Sequence, residues 1–206
     1  LLWIASALSP QEIWERVLDE SSTFRAEILA YLDGCHQGQF STGPLHDIGA
    51  RIKMQKEDDL KSSTWVDPIT SLPIPPPETG GEDALNDWFK QVCSITDEII
   101  YVSNCHDSAH GKGCVRGKPP YCRARYPRTF EPITYVDVET GAIRFKKCEI
   151  WINTFTVVVS YILRCNTDVT CLLSGTQVKA VVAYVTDYIT KSSLKTYMVF
   201  EVVKAV

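Results

Sequence analysis

Three observations in the sequence agree with an α+β domain. The chain opens with two amphipathic segments that carry helix-start or helix-stop signals, and two β-rich runs flanking Glu-Thr-Gly at 133–148 read as a hairpin. An apolar, largely β-branched stretch follows at 155–173.

The first helix is expected over "LSPQEIWERVLDE". Ser9 stands as N-cap, Pro10 sits in the first turn and Glu12, three residues past the cap, closes a capping box. Ile13, Val17 and Leu18 then face a core. A second helix is expected over "SSTFRAEILAYLDG", with Phe24, Ile28, Leu29 and Leu32 on one face and Gly34 as its stop. The pattern weakens from Gly38 to Leu60. Residues 67–83, "DPITSLPIPPPETGGED", form a proline-rich extended connector and the best candidate for a segment boundary. Beyond it Leu85, Trp88, Phe89 and Val92 have helical spacing, which predicts at least three turns. The first half of "FTVVVSYILRCNTDVTCLL" suits helix or strand, whereas "NTDVTCLL" suits a strand. Four segments result: a helical 1–66, the connector 67–83, a helix with basic Cys/His loop and hairpin at 84–150, and a strand plus two-tyrosine helix at 151–206.

Composition excludes some classes of function. With 45% apolar residues the chain is ordinary for a globular protein. It has no run of about 18 apolar residues, so no membrane span is expected. Its opening "LLWIASALSP" lacks an initiator Met, a basic region and a small-residue cleavage site, and reads as an internal piece of something longer without a secretory signal.

A net charge of −4 argues against a nucleic-acid partner for the chain taken whole, but the charge is uneven. Residues 1–100 hold 17 acids and 7 bases, a net −10, and residues 101–206 hold 8 acids and 14 bases, a net +6. Within 110–128, Lys112, Arg116, Lys118, Arg123, Arg125 and Arg128 occur with no carboxylate, a composition that suits a phosphate backbone and also a solvated basic loop. Arg164 and Lys179 are further candidate phosphate contacts, with surface solvation as the plainer alternative.

Eight cysteines without a secretory signal suggest reduced thiols or metal ligands. Cys35, Cys93, Cys165 and Cys171 lie in apolar or strand-like stretches and read as core filler. Cys105, His106, His110, Cys114 and Cys122 fall within 18 residues broken by Gly and Pro, and Cys105, His110, Cys114 and Cys122 would complete a tetrahedral Zn²⁺ site. No CxxC pair is present, so unliganded loop residues stay an alternative.

In "AYVTDYITK", Tyr184 and Tyr188 share a face whether the backbone is helix or strand, because four residues make about one helical turn and two strand repeats. Such pairs are usually packing residues. A phenol is also a usable nucleophile toward a phosphodiester when a divalent metal polarises the phosphate, and Lys191, nearly co-facial, could hold that phosphate.

The stretch 151–197, "WINTFTVVVSYILRCNTDVTCLLSGTQVKAVVAYVTDYITKSSLKTY", together with "CRARYPR" at 122–128 and the opening "LLWI", resembles the replication-initiator-like part of Helitron transposases. The resemblance implies a two-tyrosine HUH-type nuclease domain with a central antiparallel sheet and flanking helices. It also implies that Tyr184 and Tyr188 nick single-stranded DNA and join its 5′ phosphate, that Lys191 is the basic residue that follows them, and that the protein acts in the nucleus. The family's Mg²⁺ or Mn²⁺ is held by a His-hydrophobic-His strand just before a segment like "LLWI". None of His36, His46, His106 and His110 has that arrangement. No GxxxxGK[ST] phosphate loop of the family's helicase occurs either. The expectation is therefore an N-terminally incomplete HUH domain, without its upstream strands and downstream helicase, and inactive by itself. Asp168 reads as a strand-end residue or an additional metal ligand.

Two other functions fit the residues. One is a non-catalytic single-strand DNA-binding module in which Tyr121 and Tyr126 stack on bases beside the basic loop. The other is a zinc-stabilised interaction domain with no DNA role.

Overall fold

The computed structural model of the protein describes residues 8–107, 109–110, 113–118, 120–170, 179 and 181–186. Its elements are α1 (Pro10–Leu18), α2 (Thr23–Cys35), α3 (Leu45–Ser62), α4 (Gly81–Ser103), the hairpin strands β1 (Val115–Arg116) and β2 (Tyr121–Cys122), a second hairpin β3 (Tyr135–Val136) and β4 (Ile143–Arg144), and α5 (Val157–Leu163). Residues 179 and 181–186 are helical as well. The architecture is α+β.

The N-terminus of α1 follows from its sequence. The Ser9 hydroxyl accepts from the Glu12 N–H at 3.2 Å, and the Glu12 carboxylate accepts from the Ser9 N–H at 2.7 Å, which together satisfy two N–H groups that a helix start leaves open. Val17, fully buried, packs with Val136 and Ile143 of the second hairpin and with Phe24, Ile28 and Leu32 of α2. The Glu-Thr-Gly turn closes as its composition predicts: the Asp137 carboxylate accepts from the N–H groups of Glu139 and Thr140, and Gly141 takes φ +67°. A Cβ on Gly141 would also collide with the Trp14 ring, so two constraints select glycine there.

The larger core is built on α4. Val92 and Ile100 of α4 pack against Ile48 of α3, Val157 and Tyr161 of α5, and Phe40, Ile152 and Phe155 from the intervening segments. α4 runs for 23 residues, in keeping with the three or more turns its spacing predicts. Of the stripe read from sequence only Val92 is buried, Trp88 is half-buried, and Leu85 and Phe89 are exposed. Burial instead follows Val92, Thr96, Asp97, Ile99 and Ile100.

Four expectations are revised. The weak pattern between Gly38 and Leu60 contains α3, an 18-residue helix in which only Ile48 is buried, so its apolar signal is too sparse to stand out. Gly34 lies inside α2, which ends at Cys35. The proline-rich connector is stitched to the core: the Tyr161 hydroxyl donates to the Ile74 carbonyl at 3.0 Å and accepts from the Ile74 N–H at 2.8 Å, and Trp88 Nε1 donates to the same carbonyl. Among the described residues there is no central antiparallel sheet. The four strands pair as two separate two-stranded sheets, residues 157–163 are helical, and 166–170 have no regular structure; 171–173 lie outside the described residues.

Asp97 ties α4 to the 37–44 segment. Fully buried, its carboxylate accepts from the N–H groups of Ser41 (2.9 Å) and Thr42 (2.8 Å) and from the Thr42 hydroxyl at 2.6 Å. A donor left unpaired away from water costs about 1–3 kcal/mol, and because Ser41 and Thr42 are exposed, water re-pairs part of what removal of this acceptor strands. Asp97→Ala is therefore expected to lower the unfolding free energy by roughly 2–4 kcal/mol in urea titrations, and an unchanged midpoint would show that water replaces the carboxylate.

Candidate metal centre

Four side chains converge where the basic loop begins and ends. His106 follows α4, and the turn after it brings His110 back: the Asp107 carboxylate accepts from the Ala109 N–H at 2.8 Å, the His110 N–H donates to the Asp107 carbonyl, and His110 itself takes φ +51°. Cys114 and Cys122 come from the first hairpin, where the Arg123 N–H donates to the Cys114 carbonyl at 2.9 Å and Val115 pairs with Cys122. The donor atoms of His106, His110, Cys114 and Cys122 all lie within 4.8 Å of one another.

The separations test what the set could hold. Zinc bonds of about 2.3 Å to sulfur and about 2.05 Å to nitrogen at tetrahedral angles put donors about 3.4 Å apart for N···N, 3.6 Å for N···S and 3.8 Å for S···S. The structure has 3.2 Å between His106 Nε2 and His110 Nδ1, and 3.4 Å between Cys114 Sγ and Cys122 Sγ. Cys114 Sγ stands 3.3 Å from His106 Nε2 and 3.9 Å from His110 Nδ1, and Cys122 Sγ 3.5 Å from His106 Nε2. Both cysteines are free thiols. The four residues could hold a metal ion such as zinc, and because they supply a full tetrahedron no coordination position is left for a substrate.

Local electrostatics favour ligation at Cys122. Partial burial pushes its thiol up, but N–H groups of Tyr126, Ala124 and Arg125 and the Cys114 thiol more than offset this, so the net shift is downward. The shared hydrogen bond with Cys122, then burial, raise the Cys114 thiol.

Cys105 is not part of this set, which corrects the ligand choice made from sequence. Its thiol packs against the larger core, and burial, with Glu149 and Asp107 adding to it, pushes its pKa to about 11, the wrong direction for a ligand that must lose its proton. The backbone turns at the end of α4, so Cys105 faces inward and His106 takes the fourth position. The spacing His-x₃-His-x₃-Cys at 106, 110 and 114 is the signal that could have found it.

Behind the centre, the His106 ring stacks on Tyr126 (4.5 Å between centroids, 11° between planes), and the Arg128 guanidinium lies 4.4 Å from the other ring centre of that pair, Tyr126. The Tyr126 hydroxyl and Arg128 both donate to Asn153 Oδ1. Tyr126 is thus buried between His106 and Arg128 and offers no face for a base, whereas Tyr121 is exposed. In front of the centre Arg116, Lys118, Arg123 and Arg125 are exposed; Lys112 lies outside the described residues.

The other site candidates separate. Arg164 is 6% exposed and donates to the carbonyls of Leu72 (3.1 Å) and Pro68 (3.4 Å), so its guanidinium holds the connector instead of meeting solvent phosphate. Lys179 is exposed, and Tyr184, on the helical stretch that follows, is 68% exposed. Tyr188 and Lys191 lie outside the described residues. Asp168 is exposed beside Lys147, and no metal cluster among the described residues includes it.

No family model, curated protein or solved structure matches the chain.

One metal per chain is expected in Co²⁺ or Zn²⁺ titrations. A structural zinc site of about 10–16 kcal/mol spread over four ligands loses roughly 3 kcal/mol per ligand, so His106→Ala should weaken binding at least about 100-fold. Cys105→Ala should leave affinity and the thiolate-to-Co²⁺ absorption unchanged; the reverse pattern would restore Cys105 to the site.

Proposed function

We propose that this chain is a single-stranded-DNA-binding part of a Helitron-like rolling-circle transposase, and that a zinc-clamped basic hairpin is its DNA-facing surface. One observation carries the reading: three of the tetrahedral donor set of His106, His110, Cys114 and Cys122 lie within the carboxylate-free basic run 110–128. Strands of two residues cannot hold a hairpin rigid by themselves, and a four-ligand ion can. The clamp then presents Arg116, Lys118, Arg123 and Arg125 as a fixed positive surface, with exposed Tyr121 among them for base stacking.

Strand transfer enters through the resemblance. Tyr184 and Tyr188 are the proposed nucleophiles, Lys191 and Lys179 the neighbouring phosphate contacts, Mg²⁺ or Mn²⁺ the cofactor and the nucleus the compartment. His106 and His110 belong to the tetrahedral set, and neither His36 nor His46 has a second histidine two residues away. Binding, not cleavage, is therefore the activity assigned to this chain alone.

A second reading, a zinc-stabilised interaction domain, draws on Val158, Ile162 and Leu163, which α5 leaves exposed. Fluorescence anisotropy with a labelled oligothymidylate separates the two. Binding should fall on chelation and return with Zn²⁺, and Arg123→Ala with Arg125→Ala should flatten the log K against log salt slope by about 1.4, or about 0.7 per phosphate contact. No binding at low salt would leave the interaction domain standing. A covalent adduct with Mn²⁺, lost on Tyr184→Phe with Tyr188→Phe, would add cleavage to the assignment.

A further inference from the structure

The sequence reading gave no role to Lys147, Asn153 or the surface between the two hairpins. There the structure has a cleft of about 480 Å³, with Arg125, Arg128, Lys147, Glu131 and Asp168 among its lining. This is enough space for one nucleotide unit.

Lys147 is the unusual member. Its backbone is fixed by the bridge to Glu131, with N–H···O bonds of 2.7 and 2.9 Å in both directions, and by the close approach of Gly38, where any Cβ would strike the Lys146 carbonyl. The side chain is half-buried, and among the described residues Nζ makes one hydrogen bond, to the Ile152 carbonyl at 3.3 Å. Two of its three donors therefore have no partner among the described residues. Among the described residues neither Lys147 nor Arg128 forms an ion pair. Two half-buried cations that form no ion pair are costly to hold together unless an anion joins them.

The remaining charges agree. Arg128 spends Nε and Nη2 on Asn153 Oδ1, which orients its guanidinium at the cleft wall. Glu131 lies against the Tyr135 phenol and Arg144 is 3.7 Å from Asp137, so those two charges are partly matched elsewhere. The Asp168 carboxylate pulls the Lys147 pKa upward.

We propose that this cleft binds a phosphate group of the single strand, with Lys147 and Arg128 as its principal contacts and Arg125 at its mouth. The inference rests on the DNA-binding reading and assigns one phosphate of that strand to a built pocket away from the metal centre. It also explains the chemistry of Lys147: burial, and then the Arg128 charge, hold its pKa near 8 against a partial opposing pull from Asp168. In the free protein the cost of that buried charge is fully present below pH 8 and is relieved as pH rises toward the unfolded value of 10.5.

The test is oligothymidylate binding and thermal unfolding of wild type, Lys147→Met and Asp168→Asn. Lys147→Met should weaken binding about tenfold, the loss of one charge-assisted contact, while raising Tm at pH 7 and removing the gain in stability between pH 8 and 10.5. Asp168→Asn should tighten binding. A purely structural lysine would lower Tm on substitution. If the oligonucleotide binds wild type and Lys147→Met equally, the pocket is overturned and the DNA reading stands; if it binds neither, both fall.

Discussion

The buried pair Asn104 and Asn153 is the joint on which the rest of the structure depends. Asn104 caps α4; its Oδ1 accepts from the Asn153 N–H at 2.7 Å and its Nδ2 donates to the Thr167 carbonyl at 2.9 Å. Asn153 Oδ1 in turn accepts from Tyr126 and Arg128. One amide side chain thus connects the helical core to the 150s, and the other connects the 150s to the hairpin bearing the metal ligands. Buried amides carry obligatory donors and acceptors, so each must find its partners in one arrangement, and this gives the joint its specificity.

The two halves of the molecule hold their shape by different means. The helical half buries aliphatic and aromatic side chains around α4, and burial of that kind supplies most of the stability of a small domain. The first hairpin has almost no apolar interior, with Val115 and Tyr121 both exposed. What can hold it is the convergence of two thiols and two imidazoles on one point, backed by the stacked column of His106, Tyr126 and Arg128. A metal bound there would act on folding as much as on any surface the hairpin presents.

Side chains that look alike in sequence end in different surroundings. Arg164 and Arg128 are both arginines of the basic half, yet one is buried on connector carbonyls and the other faces a polar cleft. Tyr121 and Tyr126 flank the same loop, and only Tyr121 keeps an open face. Cys105 and His106 are adjacent, and the turn after α4 sends one to the core and the other to the metal centre. α3 was hidden by a different cause, since a helix that buries only Ile48 shows little apolar periodicity.

Local chemistry was legible in the sequence. The Ser9–Glu12 box, the Asp137–Gly141 turn, the charge asymmetry and three of the four candidate metal ligands depend on residues close in the chain, where spacing alone constrains geometry. Contacts across the chain were decided by tertiary structure: Asp97 with Ser41 and Thr42, Tyr161 with Ile74, Asn153 with Arg128, and the cleft at Lys147. A buried polar group takes whichever partner the packed helices bring within about 3 Å, and the identity of that partner is not written beside it in the sequence.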